Sequence, residues 1–278
     1  ARLGAPVLQL PPMRALAAVG DSQLTRDAAF VLGQQLRAIG FNLDFAPVLD
    51  VDTNPANPII GDRAFGRTPD AVIEHALAFA DGLHAGGVLS CGKHFPGHGD
   101  THQDSHKELP ALPHDLGRLN EVELPPFRAA VERVASVMTA HILFEALDPN
   151  VPATMSKAAV GELLRGDVGF DGAVFSDDLE MGAVTDHYEI DEAGVLAVEA
   201  GCDLLLVCSD LEAAAKLRET LAKEAEKSEA FAARLRDART RADALRRSVL
   251  DLPSPVPLKN ALESPEARAV EQRLGRIA

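Results

Sequence analysis

The apolar and polar positions of this chain alternate between two periods. A 3.6-residue period runs from Thr25 to Ile39, with apolar residues at Ala29, Val31, Leu32, Leu36 and Ile39, and predicts a helix closed by Gly40. Residues 41–51 are mostly apolar and predict a buried strand that delivers Asp50 and Asp52 to a loop rich in Asn and Pro. A helix over 70–86 follows, opened by Pro69-Asp70 and stopped by paired glycines. The run Gly87-Val88-Leu89-Ser90-Cys91 predicts a second buried strand over 87–93.

The same alternation continues with a helix at Leu124–Val134, a strand at 136–143, a helix at Lys157–Arg165 and a short strand at 173–177. A helix at Asp191–Gly201 and a strand at Cys202–Cys208 complete the series. From Leu211 the chain is amphipathic and rich in Ala, Arg and Glu, which predicts helix up to a Pro-rich break at Pro253–Pro257 and one last short helix. Strand and helix in alternation predict a parallel α/β fold. The expected organisation is one domain over 1–250 with a tail over 251–278.

Charge and composition narrow the partners. The net charge is −15, with acidic residues spread along the chain, which argues against nucleic acid and against an anionic membrane surface. No apolar stretch is long enough to span a bilayer. Cys91, Cys202 and Cys208 sit in apolar strand-like runs and are expected to be buried free thiols, which places the chain in a reducing cytoplasm. Nothing in the sequence fixes an oligomeric state.

The chemistry concentrates in Gly92-Lys-His-Phe-Pro-Gly-His-Gly-Asp-Thr-His-Gln-Asp-Ser-His106, where Gly and Pro break the apolar strand into a loop. Strand ends of this kind carry the active groups of α/β folds. Its four histidines raise the question of a metal. No two lie at i, i+4 on a helix, and no Cys–His grouping has zinc-like spacing, so no metal is expected. Asp104 and His106 are two apart and, in an extended loop, point to the same side. A carboxylate there orients an imidazole as general acid/base; equally, the two residues would simply solvate a turn.

The run Lys93-His-Phe-Pro-Gly-His-Gly-Asp-Thr-His-Gln-Asp-Ser-His-Lys-Glu-Leu-Pro110 resembles the signature of family 3 glycoside hydrolases, in the β-N-acetylglucosaminidase (NagZ-type) branch. The resemblance extends to Gly-Asp-Arg-Ala-Phe-Gly at 61–66, Met-Thr-Ala-His-Ile at 138–142 and Phe-Ser-Asp-Asp-Leu-Glu-Met-Gly-Ala at 175–183, and covers the chain from its first residue to about Asp210. It implies a TIM-type (β/α)8 barrel. Five strands are evident here, whereas a complete barrel has eight. The family opens with three further strands, the third ending in a D-x-E-G-G-R motif. The expectation is therefore a barrel lacking its first three β/α units, with Arg2 matching the arginine of that motif and no counterpart for the family's sugar-binding aspartate. Its open gap is expected to be filled by preceding chain or covered by the C-terminal helices.

The resemblance also implies roles. Asp177, directly after Ser176, matches the catalytic nucleophile, while Asp178 fits a turn cap. His106 with Asp104 matches the acid/base dyad. Lys93, His94, Arg63 and Arg2 match sugar-binding residues, although His94 equally fits a satisfied core histidine and Arg63 a loop anchor. Arg67, His98 and His102 fit structural roles, and His141 has none that the sequence gives. The implied activity is retaining, exo-acting hydrolysis of terminal GlcNAc from small glycans, with cell-wall recycling fragments as substrates and no metal or organic cofactor. The absence of Trp and the single Tyr agree with a small site for a terminal sugar. Two alternatives stay open: a phosphorylase on the same scaffold, since a neutral His base repels phosphate less than a carboxylate would, and a catalytically silent sugar-binding protein.

Overall fold

The computed structural model describes residues 3–105 and 108–277. Arg2 and His106 lie outside the described residues. Five parallel strands form one sheet in the order β1-β2-β4-β6-β7: β1 (Leu43–Asp44), β2 (Leu89–Phe95), β4 (Ser136–Thr139), β6 (Ala173–Asp178) and β7 (Leu204–Leu206). β3 (Ala111–Leu112) and β5 (Leu143–Phe144) make a small parallel pair beside it. The main strands run in chain order with helices between them, which is the β/α plan of a partial barrel. β1 and β7 are its outer strands.

The helices are α1 (Met13–Ala17), α2 (Ser22–Ala38), α3 (Pro69–Ala85), α4 (Leu116–Arg118), α5 (Leu124–Ala130), α6 (Gly182–Thr185), α7 (Ile190–Ala200), α8 (Leu211–Lys227), α9 (Glu229–Ser248), α10 (Leu258–Glu263) and α11 (Pro265–Leu274). A wider π-turn helix spans Ala158–Asp167. Their starts are written in the sequence. The Asp21 carboxylate accepts from the Leu24 amide at 3.0 Å, and Asp210, Ser228 and Ser264 cap α8, α9 and α11 in the same way. Pro69 and Pro265 occupy first-turn positions. α2 and α3 touch at backbone distance: a Cβ on Gly82 would lie 2.2 Å from the Arg26 carbonyl, so only glycine permits that crossing.

Period-2 alternation sorts the strand side chains. Val137 and Val174 face outward into a large core with Phe79, Leu83, Phe127 and Leu164 of the surrounding helices. Their neighbours Met138 and Phe175 point inward with Cys91, meeting Leu43, Phe45, Leu204, Leu206 and Leu245. Leu245 belongs to α9, so this helix also contributes to the inner cluster. α10 and α11 return to α2, where Ala267, Val270 and Leu274 pack on Leu16, Leu24, Ala28 and Val31, and Arg273 pairs with Asp21 at 2.5 Å.

Three expectations change. The strand over 41–51 shortens to Leu43–Asp44 because Pro47 has no N–H to give to the ladder. The segment nevertheless continues alongside β2, with the Cys91 amide bonded to the Ala46 carbonyl and the Leu49 amide to the Lys93 carbonyl. The last helix is two helices, divided at Ser264-Pro265. Cys91 and Cys202 are buried, but Cys208 is exposed, because β7 ends at Leu206 and the chain has already turned outward.

Candidate active site

The polar groups gather where β2 and β6 end and at the segment following β1. Between Gly92 and Phe95 the register of β2 against β4 shifts. A regular strand would send Lys93 and His94 to opposite faces. Here the charges of both reach Asp177.

Asp50 organises the β2 side. It is 1% exposed. Its Oδ2 accepts from His94 Nδ1 at 2.7 Å, and its Oδ1 accepts from the His98 amide at 2.7 Å and the His94 amide at 3.2 Å. Burial works to raise its pKa, but His94 and the His98 amide hold it below the usual carboxylate value. His98 behaves oppositely. Burial, aided by His94, pushes its pKa down to about 4, so the ring is neutral. It spans the loop from Thr101 Oγ1 to Ser105 Oγ, each at 2.9 Å. Asn57 donates to the His98 carbonyl and Asn54 to the Thr101 carbonyl, which ties the loop to the segment after β1.

Asp177 stands at the end of β6, half-buried. Desolvation would raise its pKa, but His94, the Asp178 amide and Lys93 keep the carboxyl below its ordinary value. Its Oδ1 accepts from the Asp178 amide at 2.9 Å. Asp178 turns away, and its Oδ1 accepts from the Glu180 amide at 3.2 Å, a turn cap. Lys93 is pushed below its usual value by burial and by the charge of Arg63, with Asp177 and Asp44 only partly compensating. Asp44, at the end of β1, is pushed up by burial despite Lys93. Arg63 is exposed and donates to the Ile59 carbonyl at 3.0 Å, while its charge is felt at Lys93.

The motif loop is fastened to the β6 side. The Ala183 amide, six residues beyond Asp177, donates to the Ser105 carbonyl at 3.2 Å, and the Glu108 amide to the Asp104 carbonyl at 3.0 Å. Asp177, Lys93, His94 and Arg63 therefore share one electrostatic neighbourhood, with Ser105 held against the turn that follows Asp177. Arg67 instead approaches Asp52, 3.5 Å away, which Arg14 holds at 2.7 Å. His102 Nδ1 lies 3.1 Å from Asn54 Nδ2.

Two contributors escape the sequence reading. One is Asp50, whose signal is an acid between the buried Leu49 and Val51. The other is His141, 1% exposed, with Nε2 3.0 Å from the Asp178 carbonyl and Nδ1 2.9 Å from Thr154 Oγ1. Among the described residues, no group of three or more His, Cys, Asp or Glu side chains is arranged to hold a metal ion.

Comparison with known proteins supplies the family. The model of the glycosyl hydrolase family 3 N-terminal domain matches residues 1–244. Beta-hexosaminidase of Alkalilimnicola ehrlichii is 42% identical over 212 residues, covering 74% of this chain and 60% of that protein. Beta-hexosaminidase of Thiobacillus denitrificans is 42% identical over 213 residues, covering 74% and 59%. The chain thus spans about 60% of the length of these curated relatives. Among solved structures, a family 3 β-N-acetylglucosaminidase from Paenibacillus sp. superimposes with a TM-score of 0.91 at 40% identity, over 100% of this chain and 54% of that one. Native NagZ from Neisseria gonorrhoeae gives 0.79 at 32% identity, over 100% and 78%. With a family model spanning most of its length and a barrel sheet ending in the same signature residues, this chain belongs to glycosyl hydrolase family 3, as its N-terminal domain.

Proposed function

We propose that the chain forms the catalytic face of a retaining β-N-acetylglucosaminidase that removes terminal GlcNAc from small glycans. The observation that carries the reading is Asp177, an aspartate at a strand end whose carboxyl is kept anionic by His94, the Asp178 amide and Lys93 despite its burial. An anion held in that way is suited to nucleophilic attack.

In this reading Asp177 attacks the anomeric carbon as the glycosidic C–O bond breaks, through an oxocarbenium-like transition state. His106 gives its proton to the departing oxygen. The resulting ester is hydrolysed by water, whose proton returns to the now neutral His106. Asp104 orients that imidazole. The tether between Ser105 and Ala183 supports the pairing, because it holds the chain next to His106 against the segment that follows Asp177. Lys93, His94 and Arg63 bind sugar hydroxyls, and Arg2 joins them. Cell-wall recycling fragments are the substrates we favour, on the strength of the hexosaminidase and NagZ relatives. No helix is long and apolar enough to cross a membrane. The buried free thiols of Cys91 and Cys202 support a cytoplasmic setting.

The test is hydrolysis of a chromogenic β-GlcNAc glycoside beside its glucose analogue, with and without phosphate. Release of free GlcNAc in both buffers, with a strong preference over glucose, is the expected result. GlcNAc 1-phosphate as the product would make the protein a phosphorylase. GlcNAc binding without turnover would make it a sugar-binding protein.

A further inference from the structure

We infer that His141 is a positioning residue for Asp177, acting through the peptide groups of Asp178. The inference rests on the reading of Asp177 as nucleophile. A carbonyl oxygen only accepts, so the 3.0 Å contact with the Asp178 carbonyl puts a proton on His141 Nε2. Burial lowers the imidazole pKa, so the ring is neutral and Nδ1 is an acceptor. The Thr154 hydroxyl lies 2.9 Å from Nδ1 and 3.0 Å from the Ala140 carbonyl, and a neutral ring requires that its one proton go to Nδ1. Thr139 Oγ1 lies 2.9 Å from Thr154 Oγ1 and completes the chain. All three side chains belong to residues no more than 1% exposed.

A buried imidazole and two buried hydroxyls are a costly way to fill space that a leucine would fill for less. What distinguishes this trio is where it ends. The Asp178 carbonyl takes His141 Nε2–H beside the Met181 amide at 3.1 Å, and the Asp178 amide gives its N–H to Asp177 Oδ1 at 2.9 Å. On the other side the Leu179 amide is bonded to the Leu206 carbonyl. Both backbone polar groups of Asp178 are therefore occupied and its peptides cannot rotate freely. This fixes Asp177 Oδ1 and leaves Oδ2 as the oxygen that meets the anomeric carbon. A misplacement of about 1 Å in such a group costs on the order of 10²-fold in rate.

The experiment measures covalent trapping of the protein by an activated 5-fluoro-GlcNAc glycoside, followed by intact mass and peptide mapping. Wild type should be labelled on Asp177. His141→Ala should be labelled about 10²-fold more slowly at saturating sugar, with little change in the half-saturating concentration. His141→Gln, whose amide N–H2 reaches the same carbonyl, should recover most of that rate. A purely packing role would lower the melting temperature of both variants without this split. Labelling of His141→Ala at the wild-type rate overturns the inference. Should His141→Ala fail to fold, 15N spectra of wild-type histidines decide: a neutral Nε2–H tautomer at His141 supports the inference, and an Nδ1–H tautomer or imidazolium overturns it. Absence of label on Asp177 in wild type is a separate outcome, which removes the nucleophile reading and this inference with it.

Discussion

The two ends of the sheet are both polar, both largely buried, and built on opposite rules. At the amino-terminal ends of β6 and β7, the fully buried Asp203 carboxylate meets Arg165 and Arg234, each at 2.6 Å, and also the Val174 amide at 2.9 Å. The surplus positive charge is absorbed by carbonyls: Arg165 donates to those of Phe170, Gly172 and Gly201, and Arg234 to those of Val198 and Cys202. Arg234 lies on α9, so this network also fastens that helix to the sheet. At the carboxyl-terminal ends the accounts do not close. Asp44 is pushed up, Lys93 is pushed down, and Asp177 is ionised only because several cationic or polar neighbours share the task. Burial lowers the Arg165 pKa as well, but Asp203 and the carbonyls answer its charge directly; removing a partner from such a matched charge destabilises a fold, whereas incompletely matched charges are what chemistry requires.

The comparison breaks most directly at Asp177. On the proposed reading of Asp177 as nucleophile, Asp177→Asn should lower glycosidase turnover by on the order of 10³-fold or more. Its melting temperature should fall only slightly, because a carboxyl held below its ordinary pKa favours the folded state when ionised. Steady-state kinetics beside a thermal melt checks both halves. A large loss of stability would show that Asp177 is matched like Asp203 and that the contrast between the two ends is false.

The opposite result is expected at the other end. Asp203→Ala strands two arginines in a water-poor site, and removing one member of a buried ion network costs about 3–5 kcal/mol. At about 2–4 °C per kcal/mol for a chain of this size, the melt should fall by roughly 10 °C. The specific activity of the folded fraction should not change. Urea titration with activity normalised to folded protein is the measurement. An altered half-saturating substrate concentration would mean that the network also shapes the site.

The sequence made one of these ends far more legible than the other. Alternating periods disclosed the parallel sheet, and caps such as Asp21 and Asp210 marked the helix starts. Asp177 was findable because its neighbours form a long motif. Asp50 was harder. It acts through the His94 ring and the His98 amide, which meet it only after the segment past β1 has paired with β2, at sequence separations of 44 and 48. His141 was hidden for the same reason, since its partners Thr154 and Asp178 come from different loops. The Asp203 network was invisible, because an aspartate after Gly-Cys and an arginine in a helix carry no local sign that they will meet. Long-range pairing of this kind is decided by topology rather than by periodicity.

The smallest effect is expected at Lys93, where the two rules meet in one side chain. Burial and the charge of Arg63 depress its pKa below the ordinary value of 10.5. The folded state therefore holds its proton less tightly than the unfolded chain does. The sign follows from linkage: Lys93 works against folding at neutral pH, and that penalty fades as pH rises through its depressed folded value and past 10.5, the unfolded value, above which the lysine is neutral in both states. Lys93→Met keeps the stem and removes the charge. It should raise stability by about 0.5–2 kcal/mol, the range typical of relieving a functional site, while weakening substrate binding. Melts collected from neutral pH upward should show the gap between variant and wild type narrowing as pH approaches that value. A gap that widens with pH, or a variant less stable than wild type at neutral pH, would mean that Asp44 and Asp177 compensate Lys93 fully, and that the carboxyl-terminal end is matched as completely as the end built around Asp203.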